Sequence, residues 1–263
     1  MRERSIGIGA LGWHAYLQKN NIPWESSLAV GRNKQIFAHI RGKLDEANLR
    51  LGTERGEAPD CVGTGYRFSH LMAIAPNASS SILMGNTSPS IEPYRANAYR
   101  QDTLSGSQLN KNRYLDKVIK DYLGKDEEFG AVPSEKYEEV WRSIIANDGS
   151  VQHLDWMGDW EKDVFKTSME IDQRWVVQHA SDRQQYIDQA QSLNVFFRPD
   201  SHIKYIHAVH FQAWKQGLKT MYYCRSDKIA KADKVAKRIE REVIKEINLH
   251  DLAQGNECLA CEG

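Results

Sequence analysis

Apolar residues at Ile36, Phe37, Ile40, Leu44, Ala47 and Leu51 recur three and four positions apart, which predicts one amphipathic helix over Leu28–Leu51. Pro23-Trp24-Glu25-Ser26 reads as the turn leading into it, and Gly52 and Gly56 as its stop. Upstream, Ile6–Leu17 reads as a glycine-broken lead-in followed by a helix carrying Leu11, Ala15 and Tyr16. Downstream, helices are expected over Tyr114–Leu123 and over Glu135–Ile145, the second capped by Ser134. A long helical region over Leu154–Ala180 takes Phe165, Met169, Ile171, Trp175 and Val176 as its core stripe. His202–Gln216 is expected as a helix capped by Asp200 or Ser201 and ended by Gly217. Leu218–Cys224 is strand-like, apolar and aromatic, whereas Ala230–Ile247 alternates Lys, Arg and Glu and reads as an exposed helix before a tail. Glu127–Val132 reads as a turn, and the polar, asparagine-rich run from Pro93 to Arg113 has no readable period.

The segment Ala73–Pro93, AIAPNASSSILMGNTSPSIEP, departs from every regular pattern. Leu71, Met72 and Ile74 lead into it, and Ile82, Leu83 and Met84 interrupt it. A buried strand running into a Ser-rich turn and then a short helix would read this way. Such a turn can aim backbone N–H groups and hydroxyls at one point and hold a phosphate without a cation. A Ser/Asn-rich loop that merely caps a helix fits the same residues.

Composition narrows the function classes. The chain has 263 residues, with 35 basic and 35 acidic side chains, so no net charge favours nucleic acid or an anionic membrane as partner. No apolar run approaches the ~18 residues of a membrane span, and the N-terminal MRERSIGIGALGW does not read as a signal peptide. Four cysteines do not make a disulfide framework, so a reducing cytoplasm is the expected compartment. The glycines at 7, 9 and 12 do not complete a dinucleotide fingerprint.

Candidate chemistry is sparse. Cys258-Leu259-Ala260-Cys261 is a lone CxxC near the end of the sequence. Without a second pair it does not make a zinc site, but on a tail it could exchange with a disulfide elsewhere. Tyr222-Tyr223 is compatible with ordinary packing, since adjacent strand residues face opposite sides. His207 and His210 lie three apart without a carboxylate at ligand spacing and read as a solvated helix face. Cys61 and Cys224 read as small buried hydrophobes, and Trp156, Trp160, Trp175 and Trp214 as core.

Taken together, IGIGALGWHAYLQKN, ERGEAPDC, APNASSSILMGNTSPSIEP, RQDTLSGSQLNKNRYLDK, DRQQYIDQAQSLN, AWKQGLKTMYYCRS and the CLAC tail resemble, in order, the large (alpha) subunit of class I ribonucleotide reductase. The resemblance implies an α/β fold, the second half of a ten-stranded α/β barrel with surrounding helices (1–247) and a flexible tail carrying a redox dithiol (248–263). It implies that Pro76, Asn77, Ala78, Ser79 and Ser80 form the turn that binds the substrate diphosphate, Ala78 standing where the family often has a glutamate. It implies that Tyr223 and then Tyr222 carry a radical inward from the small (beta) subunit, and that Cys258 and Cys261 re-reduce the active-site disulfide. Tyr205–Gln216 resembles part of the groove that accepts the small subunit's C-terminal tail.

On this resemblance the chain binds no cofactor itself; it depends on the metal/radical cofactor of the small subunit and on a thioredoxin- or glutaredoxin-type reductant. The family's radical cysteine, its partners and both allosteric sites have no counterpart in these residues. An N-terminal alpha-subunit polypeptide is therefore the expected companion, as from a split gene whose break falls between the half-barrels, and a ribonucleoside diphosphate the expected substrate. The chain would be inactive alone. A non-catalytic remnant that binds reductase subunits, and a different barrel enzyme sharing only the phosphate turn, are the competing readings.

Overall fold

The computed structural model describes residues 2–103, 106–125 and 133–226. Helix α1 (Trp13–Lys19) begins after Gly12, whose φ of 84° lies in the left-handed region that glycine tolerates. Its first turn is capped from a distance, by the Ser88 hydroxyl accepting from the Ala15 N–H at 3.0 Å. Helix α2 (Ser27–Arg55) starts at Ser26, whose side chain accepts from the Ala29 N–H. The helix runs through Gly52 and ends at Gly56, so Gly52 is not a stop. A Cβ on Gly52 would lie 1.9 Å from the Gly65 carbonyl oxygen, so the glycine is there for a close backbone approach. The Asn48 amide holds the same return, donating to the Phe68 carbonyl and accepting from the Phe68 N–H.

Four extended segments then form a ladder. Ile8 pairs in parallel with Met72, and Ile74 in parallel with Gln191. Strand β3 (Val195–Phe197) pairs in parallel with β4 (Cys224–Ser226). Backbone bonds extend these pairings, including Ile8 N–H to Leu71, Ile74 N–H to Ala190 and Tyr222 N–H to Leu193. Parallel neighbours need crossover connections, and helices supply them here. Helices α1 and α2 join the first segment to the second, and α8 (Ile203–Lys215) joins β3 to β4. The α/β character expected from the sequence is therefore present.

Between the second and third segments lie α3 (Ala78–Leu83), an antiparallel hairpin β1–β2 (Ala98–Thr103 and Gly106–Lys111), α4 (Arg113–Leu123), α5 (Ser134–Ala146), α6 (Asp159–Val164) and α7 (Gln173–Gln184). The hairpin occupies the asparagine-rich run that had no readable period. The expected long helix over Leu154–Ala180 is instead α6 and α7, separated by an irregular segment. There Glu170 accepts from the Thr167 N–H, and Asp172 caps α7. The caps of α5 and α8 also move by a residue or two, to Pro133 and His202.

One core packs α1, α2 and α7 against the ladder around Trp13, Trp24, Phe37, Met72 and Ile91; a second packs α4, α5 and α6 around Leu115, Trp141 and Phe165. A third joins β3 to α7 and α8 through Val177, Val195, Phe197 and Val209. Trp160 and Trp214 are not core: they are 51% and 73% exposed. Trp160 is held at the surface by donating to the Asn21 carbonyl. Cys61 is buried as expected, but Cys224 is exposed, because β4 has a neighbour only on the β3 side among the described residues. Among those residues no helix is long and apolar enough to cross a membrane.

Candidate functional site

The Ala73–Pro93 segment leaves the ladder at Ile74, a fully paired and buried position. The expected Ser-rich turn proves to be helical: Pro76 leads to Asn77 in the left-handed region (φ 51°), and Ala78, Ser79 and Ser80 form the first turn of α3. The first bond of that helix runs from Ser81 N–H to the Asn77 carbonyl. The N–H groups of Ala78, Ser79 and Ser80 thus precede any intrahelical acceptor, as at every helix start. All three residues are exposed, and so are Pro76 and the hydroxyl-bearing side chains of Ser79 and Ser80. Ala78 contributes only its backbone.

Past α3 the segment folds under α1. The Gly12 N–H donates to the Ser88 carbonyl and the Trp13 N–H to the Ser90 carbonyl. Ser90 takes a positive φ of 48°, uncommon for a residue with a Cβ, and is fully buried. This bend delivers Glu92 into the interior, where it is 4% exposed and accepts from the Asn194 N–H at 3.2 Å. Burial pushes the Glu92 carboxyl above its ordinary range, while hydrogen bonds from the Asn194 side chain and backbone and the charge of Arg225 act against it.

The tyrosine pair sits on the same ladder. Ile74 bonds to Ala190 and Ser192 of the third segment, and the pair bonds to Leu193 and Val195 of that segment. The Ser-rich turn and the pair are therefore brought to neighbouring positions along one shared strand. The rings of Tyr222 and Tyr223 stand 4.1 Å apart, centroid to centroid, and each is about half exposed. In a regular strand adjacent side chains face opposite ways. Here the ladder is broken: Tyr222 N–H donates to the Leu193 carbonyl, and Tyr223 N–H donates to the Asn194 Oδ1 at 3.1 Å. Two successive N–H groups address one neighbouring segment, as at a bulge, and the two rings come into contact. The expected strand over Leu218–Cys224 is thus irregular, and regular pairing starts only at Cys224.

A hydrogen bond with Tyr223 is the main reason the Tyr222 phenol is held above its ordinary pKa. The Arg225 guanidinium lies 4.9 Å from the Tyr223 ring centroid. Nothing in the sequence pattern singled out Glu92, Asn194 or Arg225. Glu92 lies inside the quoted SPSIEP run, yet neither periodicity nor the resemblance gives it a role. Cys258 and Cys261 lie outside the described residues, as does the expected helix over Ala230–Ile247. His207 and His210 are exposed on α8, and no group of histidine, cysteine or carboxylate side chains among the described residues could hold a metal ion.

The chain resembles known proteins along nearly its whole length. The family model described as ribonucleotide reductase, barrel domain, matches residues 1–64 and 59–224. The ribonucleoside-diphosphate reductase large subunit of Invertebrate iridescent virus 6 is 52% identical over 255 residues, covering 96% of this chain and 25% of the viral protein. That of Invertebrate iridescent virus 3 is 50% identical over 261 residues, covering 99% of this chain and 39% of its own length. Among solved structures, the Actinobacillus ureae class Id ribonucleotide reductase alpha subunit superposes with a TM-score of 0.76 at 40% identity, over 86% of this chain and 40% of that one. The chain thus spans a quarter to two fifths of the length of these relatives. With its parallel ladder and its paired tyrosines in place, the chain belongs to the ribonucleotide reductase family and corresponds to part of the large subunit's barrel domain.

Proposed function

We propose that this chain is the C-terminal portion of a ribonucleoside-diphosphate reductase alpha subunit, working with an N-terminal alpha-subunit polypeptide and a small subunit. The N–H groups of Ala78, Ser79 and Ser80, with the hydroxyls of Ser79 and Ser80, receive the substrate diphosphate after Pro76 and Asn77. Three unbonded amides and two exposed hydroxyls at one helix start suit that anion. Tyr223 and Tyr222 relay a radical: each phenol in turn gives up one electron and its proton, and is restored when the next group is oxidised. The final donor is a cysteine thiol on the companion polypeptide. Cys258 and Cys261 return two electrons and two protons to the disulfide formed there, and a thioredoxin- or glutaredoxin-type dithiol reduces them. The exposed α8 face, with Ile203, Phe211 and Trp214, suits the small subunit's tail.

The observation that carries this reading is the 4.1 Å contact of two half-exposed tyrosines on the strand ladder that also leads into the Ser-rich helix start. Proximity matters because electron loss must pass between rings, and an ordinary strand would have turned one away. The test is reconstitution. The chain alone gives no deoxynucleotide, whereas the mixture with the N-terminal polypeptide, the small subunit and a dithiol donor does. Tyr222→Phe, which removes the phenolic O–H and keeps the ring, lowers product to the level of a mixture lacking the small subunit. Normal turnover by that variant would refute the relay, and a chain that binds the other subunits without restoring turnover would be the non-catalytic remnant.

A further inference from the structure

The contact between Tyr222 and Tyr223 is not a property of the two tyrosines alone. It depends on where the Tyr223 N–H goes, and that acceptor is a side chain. We infer that Asn194, fixed in place by the buried Glu92, is the positioning residue that breaks the strand alternation and holds the two tyrosine rings against each other. The inference deepens the relay reading and rests on it only for its functional meaning.

The chain of bonds is short and directional. Glu92 accepts from the Asn194 N–H, and Asn194 Oδ1 accepts from the Tyr223 N–H. The Asn194 amide therefore presents its oxygen, and not its nitrogen, to Tyr223. Glu92 and Asn194 are 4% and 6% exposed, so water does not compete for these bonds. On the other side, Val195 N–H donates to the Tyr223 carbonyl, so Tyr223 is held at both its N–H and its C=O. Glu92 itself is set by the buried bend at Ser90, with its positive φ, and by Glu92 N–H donating to the Pro89 carbonyl. Uncommon backbone at a buried serine persists only where its surroundings over-determine it, and such sites cluster around function. The same 73–93 segment thus supplies both the Ser-rich helix start and the carboxylate behind the tyrosine pair.

The test uses the full chain with 3-fluorotyrosine placed at position 223 and, separately, at position 205 as a control. Tyr205 bonds to Asp172 and Gln173 and not to Asn194. Asn194→Ala shifts the fluorine resonance at 223 by several linewidths and leaves the one at 205 unmoved. Asn194→Asp alone shifts it too, because a second carboxylate then sits beside the buried Glu92. Asn194→Asp combined with Glu92→Gln removes that repulsion, keeps Oδ1 for the Tyr223 N–H and an amide oxygen for the residue-194 N–H, and restores the wild-type resonance. A 223 resonance unmoved by Asn194→Ala would overturn the inference. So would a folded double variant, with wild-type circular dichroism, whose 223 resonance stays displaced. If Asn194→Ala does not fold, the double variant decides alone. None of these readings requires turnover, so a failed relay and a failed anchor are separable.

Discussion

His14 makes the stability of this fold, and with it the seat of the Glu92 bend, sensitive to mild acid. The imidazole is fully buried on α1, and its Nδ1 accepts from the Tyr94 N–H at 2.8 Å, two residues beyond Glu92. Trp24 packs edge-on against it, with ring centroids 5.2 Å apart. Burial lowers its pKa from 6.5 to about 3, the hydrogen bond to the Val164 carbonyl offsetting little of that. The native state therefore keeps His14 neutral while the unfolded chain protonates it, so stability is complete above the unfolded value and falls as pH drops toward the folded one. At pH 5 the linkage amounts to about 2 kcal/mol relative to pH 8, from 1.36 kcal/mol per unit of pKa difference spanned. With an urea m-value of about 2 kcal/mol/M, the midpoint falls by about 1 M from this residue alone. His179, also buried and lowered chiefly by desolvation, acts in the same direction. The assay is urea unfolding of wild type and His14→Gln at pH 8 and pH 5. Gln retains an acceptor for Tyr94 and cannot titrate, so the wild-type advantage over it shrinks by about 2 kcal/mol at pH 5. An advantage that stays constant between the two pH values would refute the assignment.

What the sequence disclosed depended on how local the determinant was. The α2 stripe of Phe37, Ile40 and Leu44 packs as its spacing predicts, because helix periodicity is a local signal. The turn at 23–26 that leads into α2 is local too. Gly52 departs from its expected role as a stop because a glycine in a helix resembles one until its neighbour, Gly65, is known, and that neighbour comes from the returning chain. Trp160 and Trp214 are expected as core, whereas burial depends on which face of α6 and α8 a residue occupies. The site shows the same division. The Ser-rich start and the tyrosine pair are legible as residues, and the family resemblance attached roles to them. Their adjacency and the Glu92–Asn194–Tyr223 chain are not legible, because positions 92, 194 and 223 meet only through the parallel ladder.

Further substitutions test the expected dithiol and the packing of α2. Cys258→Ser or Cys261→Ser in the reconstituted enzyme is expected to permit about one turnover per pre-reduced site and then stop when a thioredoxin-type donor is the only reductant, since neither variant can form the internal disulfide of an exchange cycle. Sustained turnover at the wild-type rate would exclude the shuttle. Within α2, Gly42 and Gly52 make opposite predictions from one substitution. A Cβ on Gly42 meets nothing within 4 Å, so Gly42→Ala gains the helix propensity of about 1 kcal/mol and raises the urea midpoint. A Cβ on Gly52 meets the Gly65 carbonyl oxygen at 1.9 Å and the Arg67 backbone nitrogen at 3.3 Å, and neither is a flexible side chain that can swing away. Separating α2 from the return costs about 1–3 kcal/mol in overpacking and outweighs the same propensity gain. If both alanines raised the midpoint, the close approach would not be a constraint on this fold.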